Sequence, residues 1–302
     1  MLCLAQAPDK NLTFDAASIK PAAPITMNGR SMIFGGGRGG PGSSDPGRIQ
    51  YPMVTLKNLL MQAYAVKDFQ ISGPPWLDTE RFEIQATMPP ETTKEQFQIM
   101  LQNLLAERFK MSVHRETKDL PMYSMTIGKN GPKLKESAPP NPEADQNAPL
   151  PPPPPPGQLK LDADGFPTLP FIGRKGIFHI MMPGRARLIG SQSTMQDLAN
   201  DLSTNLKRPV IDATGLTAKF DFTLTYLPEG MIGPMGPMAP PPPAPPGADG
   251  GESGRKGPWA DLPPPADLFT AIQSQLGLKL DPKKGPVDLI VIDHIEKTPT
   301  EN

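Results

Sequence analysis

Basic side chains are the first residues in this sequence that could do chemistry, because they occur in two groups near predicted helix starts. The groups are Arg38, Arg48 and Lys57, and Arg185, Arg187 and Lys207-Arg208. Helix N-termini and cationic side chains together favour anionic ligands. Dispersed surface charge explains these residues equally well. Arg48 and Arg185 are therefore candidate contact residues for an anionic group of a ligand or partner.

An aspartate in a predicted turn offers a second kind of chemistry. The stretch Asp212-Ala213-Thr214-Gly215 is close to the Asp-Thr-Gly turn of aspartic proteases, whose paired carboxylates share a proton. An alanine interrupts the motif, and the first half of the chain offers only Asp78-Thr79-Glu80. A turn before a strand uses Asp, Thr and Gly for backbone reasons alone. Asp212 is thus a candidate contact residue, and a hydrolase is an alternative function.

Metal, cofactor and nucleophile motifs are absent from the sequence. His114, His179 and His294 stand in no recognised ligand spacing, and we interpret them as solvated surface residues. The run Gly35-Gly36-Gly37-Arg38-Gly39-Gly40 lacks the Lys-Ser/Thr pair that a phosphate-binding loop requires. There is no nucleophile elbow and no Cys-His pair. We therefore expect no cofactor and no metal.

Trp76 is the remaining candidate contact residue. It follows Gly73-Pro74-Pro75 and precedes Leu77. A tryptophan in this position either covers the predicted sheet or offers an exposed contact surface. The leucine that follows favours the first interpretation, a place in the core.

Net charge and proline content narrow the class of protein. The formal net charge of the 302-residue chain is -1, so no basic excess is present to neutralise phosphates, and we expect no nucleic-acid partner. The 42 prolines are clustered, as in Pro151–Pro156 and Pro240–Pro243. Such runs favour stiff, extended spacers outside any core.

The N-terminus resembles the end of a secretory signal. Ala5-Gln6-Ala7 fits the small-x-small cleavage pattern, although a basic region and most of an apolar stretch are absent, and Pro8 favours a disordered N-terminus instead. Cleavage would remove Cys3, the only cysteine, which suits an oxidising compartment. No stretch approaches the roughly 20 apolar residues of a membrane span. The sequence predicts a periplasmic or secreted protein with no transmembrane segment in the mature chain.

The same order of motifs occurs twice along the chain, which predicts an internal duplication. Each copy has a Gly-Arg pair, then a helix, and then a strand of alternating apolar and polar residues. The corresponding segments are Gly47-Arg48 with Arg81–Ala86 and Gly184-Arg185 with Lys219–Leu224. Repeated units bury their cores by one plan. The predicted organisation is an N-terminal remnant (1–12), a first repeat (13–135), a proline-rich linker (136–175) and a second repeat (176–302) with a proline-rich insertion (228–265).

Hydrophobic periodicity predicts the elements that position these residues. Four helices are expected, at Leu56–Tyr64, at Phe97–Leu105 with a Thr92–Glu95 capping box, at Met195–Leu202 opened by Ser193 with Gln196, and at Leu268–Leu276 between a cap at Asp267 and a stop at Gly277. Strands are expected at Phe82–Ala86, Phe109–Val113, Phe220–Tyr226 and Leu289–Ile292. The predicted fold class is α+β, with two homologous lobes. Each lobe would be a small, mostly antiparallel sheet with two helices on one face.

Five segments carry a resemblance to a known family. They are Phe14–Pro21, Leu104–Lys118, Gly128–Leu134, Arg208–Leu216 and Val291–Lys297. Together they resemble a soil-associated, acidobacterial-type exported family of unknown function, whose domain also occurs attached to sensor peptidases of the beta-lactam-receptor type. The resemblance implies no activity and no catalytic residues. In fold alone, the repeated pattern is similar to the short N-terminal domains of secretins and TonB-dependent receptors.

These observations favour a non-enzymatic binding or interaction module of the cell envelope. Its partner would be an envelope protein or an extracellular ligand, bound at exposed sheet edges or in a groove between the lobes. The alternative is an envelope-associated hydrolase that uses carboxylates, Asp212 among them, in the inter-lobe cleft.

Overall fold

The structure is a computed structural model, and it describes most of the chain outside the proline-rich tracts. The described residues are 12–22, 26–27, 30–31, 37–139, 161–162, 164–167, 175–182, 184–228 and 265–300. The predictions for Pro151–Pro156, for residues 1–11 and for most of the 228–265 insertion lie outside these ranges.

Strands dominate the described part of the chain. They are β1 (Ala16–Pro21), β2 (Thr26–Met27), β3 (Arg30–Ser31), β4 (Arg38–Gly39), β5 (Arg48–Thr55), β6 (Ile71–Ser72), β7 (Arg81–Thr87), β8 (Ser112–Ile127), β9 (Lys135–Glu136), β10 (Gly176–Met182), β11 (Arg185–Ser193), β12 (Val210–Asp212), β13 (Phe220–Tyr226) and β14 (Leu278–His294). The helices are α1 (Leu56–Tyr64), α2 (Lys94–Arg108), α3 (Met195–Asn205) and α4 (Leu268–Ala271), which a π-helical turn (Ile272–Leu276) extends.

The predicted α+β class is confirmed. Three four-stranded sheets have the orders β1-β7-β5-β4, β10-β11-β13-β9 and β12-β8-β14-β6. Their pairings are mostly antiparallel, while β12 with β8 and β6 with β14 are parallel. The two-lobe duplication and the likeness to secretin and TonB-receptor domains stay predictions.

The described residues form two compact units, one from Met1–Leu120 and Lys284–Asn302 and the other from Pro121–Lys283. In the first unit, β7 lies between β1 and β5, and β6 pairs with the end of β14. Alternate strand residues and the apolar faces of α1 and α2 form one core. Its largest fully buried members include Ile49, Leu56, Leu59, Leu60, Ile84, Leu101, Leu105 and Phe109.

The second unit has its own core. β11 lies between β10 and β13, and β12 pairs with the last residues of β8. The buried residues of α3 and of α4 with its π-helical turn meet those of β11 and β13. The largest fully buried side chains there include Leu188, Met195 and Met125.

Two predicted helix caps are wrong by one residue. Thr93, with Gln96, forms the capping box of α2, whereas Thr92 donates its hydroxyl to the Pro89 carbonyl instead. Thr194, with Asp197, caps α3, and Ser193 is buried at the end of β11. In each pair the residue with extended backbone at the helix entrance accepts the orphan N–H. The predicted Asp267 cap and the Gly277 stop are confirmed.

The strand predicted from Phe109 begins later. Phe109 is the C-cap of α2, fully buried, with its ring edge-on to Phe82 at a centroid distance of 5.1 Å. Lys110 takes a positive φ of 49°, and β8 starts at Ser112. The alternation that predicted a strand here comes from a helix end followed by a left-handed turn.

Candidate functional site

A groove between β5 and α1 has the character of a binding site. We call it the β5–α1 groove. It has a volume of about 450 Å3 and is lined by Gly37, Tyr51, Pro52, Met53, Val54, Asn58, Met61, Gln62 and Val66. That volume lies within the usual range of ligand pockets.

Local sequence explains why the groove forms at this edge of the sheet. β4 pairs only with Ile49 and Gln50, and the register of β5 against β7 shifts between Tyr51 and Val54. A proline within a strand is typical of an edge or a bulge, and Pro52 lies in this shift. The Thr55 side chain then accepts from the Asn58 N–H and starts α1.

The described side chains that line the groove are neutral. The Tyr51 hydroxyl donates to the Gln62 Oε1 at 2.8 Å, and burial raises the pKa of Tyr51 above its usual value, with the Gln62 hydrogen bond opposing the rise. Tyr51 is therefore neutral at physiological pH. None of the described residues that line the groove is a carboxylate, histidine, cysteine, lysine or arginine. Tyr51 is the one described lining residue of a type that takes part in acid–base chemistry, and its hydroxyl is already hydrogen-bonded to Gln62.

The sequence reasoning did not identify the groove, although two signals were available. Pro52 in a strand predicts an interrupted edge. Met61 is an apolar residue of α1 outside its core face, which consists of Leu56, Leu59, Leu60 and Ala63.

Arg48 lies on the exposed outer face of the first sheet. It begins β5 opposite Thr87, and Ala16 of β1 is on the other side of Thr87. These residues line a shallow depression of about 330 Å3 together with Ala17, Ser18, Gln50, Gln85 and Ala86. The structure thus places Arg48 at a surface depression of the first sheet.

Arg187 and Arg185 contact other residues of the second unit. The Arg187 guanidinium forms ion pairs with Asp162 and Asp164, the latter at 2.6 Å, and lies 4.0 Å from the ring centre of Phe166. Arg185 Nη1 donates to the Asp164 carbonyl at 2.8 Å. Burial disfavours the charged form of Asp162, yet the hydrogen bond from Arg187 holds the pKa of that carboxyl below its usual value. Both arginines secure the segment of residues 161–162 and 164–167, called segment 161–167 below.

Trp76 and Asp212 have local structural roles. Trp76 is partly buried and packs against the first core, as its preferred interpretation predicted. Asp212 Oδ1 accepts from the Thr214 N–H at 2.9 Å and from the Thr214 hydroxyl at 2.7 Å. Gly215 completes this turn with a φ of 72°. The Asp212 contacts are those of a turn cap and do not favour the hydrolase hypothesis.

The histidines form pairs with single carboxylates. His114 Nδ1 lies 2.8 Å from Asp293, His179 Nε2 lies 2.8 Å from Asp201, and His294 lies 4.0 Å from Glu296. Within the described ranges, no three metal-ligating side chains meet in a cluster.

The His179–Asp201 pair predicts a pH-dependent stability. The hydrogen bond with Asp201 raises the pKa of His179 above 6.5, and burial opposes this rise. The stabilisation from the protonated His179 is fully present below the pKa that this residue has in the unfolded chain. It is lost as the pH rises through the pKa of His179 in the folded protein. Chemical denaturation of wild type and His179→Gln at about pH 5.5 and about pH 8.5 tests this. At the lower pH, the free energy of unfolding of wild type should be about 1 kcal/mol higher than that of the variant, and the difference should shrink at the higher pH. A difference that grows with pH would contradict this assignment.

The fold defines a mixed α+β protein with two cores. Residues 57–295, which include the whole second unit, a large part of the first and most of the chain, match the family described as Protein of unknown function (DUF3738). The chain belongs to this family, which confirms the predicted membership of a family without assigned function. No curated protein and no solved structure matches the chain. No helix in the described part of the chain combines the length and the apolar character that crossing a membrane requires.

Proposed function

We propose that the protein is a non-enzymatic binding module of the cell envelope, which holds an apolar part of an envelope protein or extracellular ligand in the β5–α1 groove. The observation that carries this proposal is the lining of the groove. Apolar side chains at Pro52, Met53, Val54, Met61 and Val66 meet three neutral polar ones, and the described lining contains no carboxylate, histidine, cysteine or lysine.

The chemistry of the groove defines the ligand in outline. Methionine side chains adapt to varied apolar shapes because they are unbranched and polarisable. Met53 and Met61 both line the groove. The amides of Asn58 and Gln62 and the Tyr51 hydroxyl supply the few polar contacts that orient a bound group. An aliphatic or aromatic side chain next to a peptide bond meets both requirements.

A site of action outside the cytoplasm is part of the same proposal. Its support is the cleavage-like Ala5-Gln6-Ala7 and the absence of cysteine after Cys3. The resemblance to an exported, soil-associated family with domains attached to sensor peptidases, and to secretin and TonB-receptor domains, points the same way. N-terminal sequencing of the protein isolated from its native cells should give a chain that starts at Pro8. A chain that starts at Met1 would contradict export by cleavage.

A photo-crosslinking experiment tests the groove. A photoreactive residue at Met61 should give a discrete crosslinked product in native envelopes, and the same residue at Gln196 on the exposed side of α3 should not. The additional change Val66→Asp places a charge in the groove and should abolish the product from position 61. Circular dichroism controls for folding of each variant.

Two results would overturn the proposal. Equal products from positions 61 and 196 would show that the groove has no special affinity. Turnover of a wall-derived substrate that survives Val66→Asp would instead place the activity elsewhere and support an enzyme.

A further inference from the structure

Two arginines occupy the same position in β5 and β11, counted from the helix that follows each strand. Arg48 is the seventh residue before Thr55, the N-cap of α1, and Arg187 is the seventh before Thr194, the N-cap of α3. Each strand also has a register shift before the helix, between Tyr51 and Val54 and between Gly190 and Ser193.

The residues opposite the two arginines are also alike. Arg48 is opposite Thr87 and Arg187 is opposite Thr225. Residues that face each other in an antiparallel pair project to the same side of the sheet. The two Arg–Thr pairs therefore mark corresponding places on the outer faces of their sheets.

In the second unit, this place is covered by segment 161–167. Asp162 and Asp164 are ion-paired with Arg187, and Phe166 lies under its guanidinium. Asp162 Oδ1 also accepts from the N–H groups of Asp164 and Phe166, at 3.0 and 2.9 Å, which holds the segment in a tight turn. Phe166 is fully buried against Ile180 and Ile189. Segment 161–167 therefore shows how a peptide with acidic and aromatic residues covers the Arg187–Thr225 pair.

In the first unit, no described segment covers the corresponding place. Arg48 and Arg38 are exposed, and neither has an ion-pair partner within the described ranges. The strand register puts Arg38 beside Gln50 on this face, with Lys20 beside Glu83 further along. With Arg81, which shares the outward side of β7 with Glu83, the described residues of this face carry four cations and one carboxylate, so its net charge is positive. The small side chains of Ala16 and Ser18 leave a depression of about 330 Å3 beside Arg48.

We propose that this outer face docks a turn-forming acidic segment of a partner protein with the pattern Asp-x-Asp-Gly-aromatic. The two carboxylates bind Arg48 and Arg38, and the aromatic ring lies over the Arg48 guanidinium. Gln50 stands where the second unit has Ile189, so recognition here depends more on the carboxylates than on the ring. This surface is separate from the β5–α1 groove, and the inference goes beyond the proposed function.

A peptide-binding measurement on the full chain tests the proposal. The probe is a fluorescent synthetic peptide with the sequence of residues 161–167, Leu-Asp-Ala-Asp-Gly-Phe-Pro, followed by anisotropy. It should bind wild type, and Arg48→Glu should weaken binding at least about tenfold because an attraction becomes a repulsion. Arg208→Glu, the same charge change at an exposed arginine of the second unit, should leave the affinity unchanged. A peptide with both aspartates replaced by asparagine should also bind at least about tenfold more weakly.

The remaining outcomes would overturn the proposal. Equal binding of a scrambled peptide would reduce the effect to net charge, and absence of binding up to about 1 mM would exclude the site. Binding that survives Arg48→Glu but not Arg187→Glu would show exchange with segment 161–167 instead of docking on the first sheet. Val66→Asp should leave peptide binding intact, which separates this test from that of the groove.

Discussion

Phe166→Ala is expected to destabilise the second unit by about 3 kcal/mol, because it removes a large and fully buried side chain. Phe166 packs against Ile180 and Ile189, and the Arg187 guanidinium lies 4.0 Å from its ring centre. The substitution leaves a cavity under segment 161–167 and also removes the cation–π contact. Urea denaturation followed by far-UV circular dichroism measures the loss.

Leu161→Ala in the same segment is the matched control. Leu161 is 38% exposed, so its truncation removes little burial and should change the free energy of unfolding by less than about 1 kcal/mol. Equal effects of the two substitutions would show that segment 161–167 contributes no core packing. Phe166→Leu should recover most of the stability, since it refills most of the volume.

Gly277→Ala is expected to cost about 3 kcal/mol or more, because an added methyl group has no space. Gly277 has a φ of 68°, and a Cβ there would lie 2.1 Å from the Gly131 carbonyl oxygen and 2.9 Å from the Lys133 nitrogen. Both atoms belong to the backbone, so no side chain can move aside. The Lys133 N–H donates to the Leu276 carbonyl at 2.8 Å, and a shift would break this bond as well.

Gly215→Ala separates the cost of the clash from the cost of the backbone conformation. Gly215 has a φ of 72°, and an added Cβ there meets nothing within 4 Å. This substitution should cost about 1 kcal/mol, the usual penalty for a left-handed non-glycine residue. Thermal or urea unfolding of the two variants gives the difference. If Gly277→Ala lowers the free energy of unfolding no more than Gly215→Ala does, the predicted clash with the Gly131 carbonyl oxygen is wrong.

Local sequence patterns predicted helix bounds correctly where a single residue could form the cap or the stop. The apolar spacing of α1 gave its bounds, and Asp267 and Gly277 marked the ends of the last helix. The errors at α2 and α3 arose where two hydroxyl residues are adjacent, Thr92-Thr93 and Ser193-Thr194. Each of the four can accept an N–H, and only the backbone conformation at the helix entrance selects the cap.

The candidate site was less predictable, because it depends on contacts between distant residues. Arg48, Arg185 and Arg187 look alike in the sequence, but two of them are satisfied by segment 161–167 and one is exposed. Proline content assigned that segment to a linker, and nothing in its composition indicates that Phe166 is fully buried. The β5–α1 groove likewise requires the register shift in β5, which periodicity does not reveal.

The first unit consists of two segments that are far apart in the sequence, which affects when it can fold during synthesis. This unit combines Met1–Leu120 with Lys284–Asn302, and its strand β6 pairs with Ile290 and Val291 of β14. A ribosome releases those residues long after it releases β6. β6 therefore waits for its partner strand until the whole second unit, which has all of its residues by Lys283, has been synthesised. Truncated translation products that lack the final strand should consequently leave β6 and the neighbouring apolar surface exposed to chaperones and proteases.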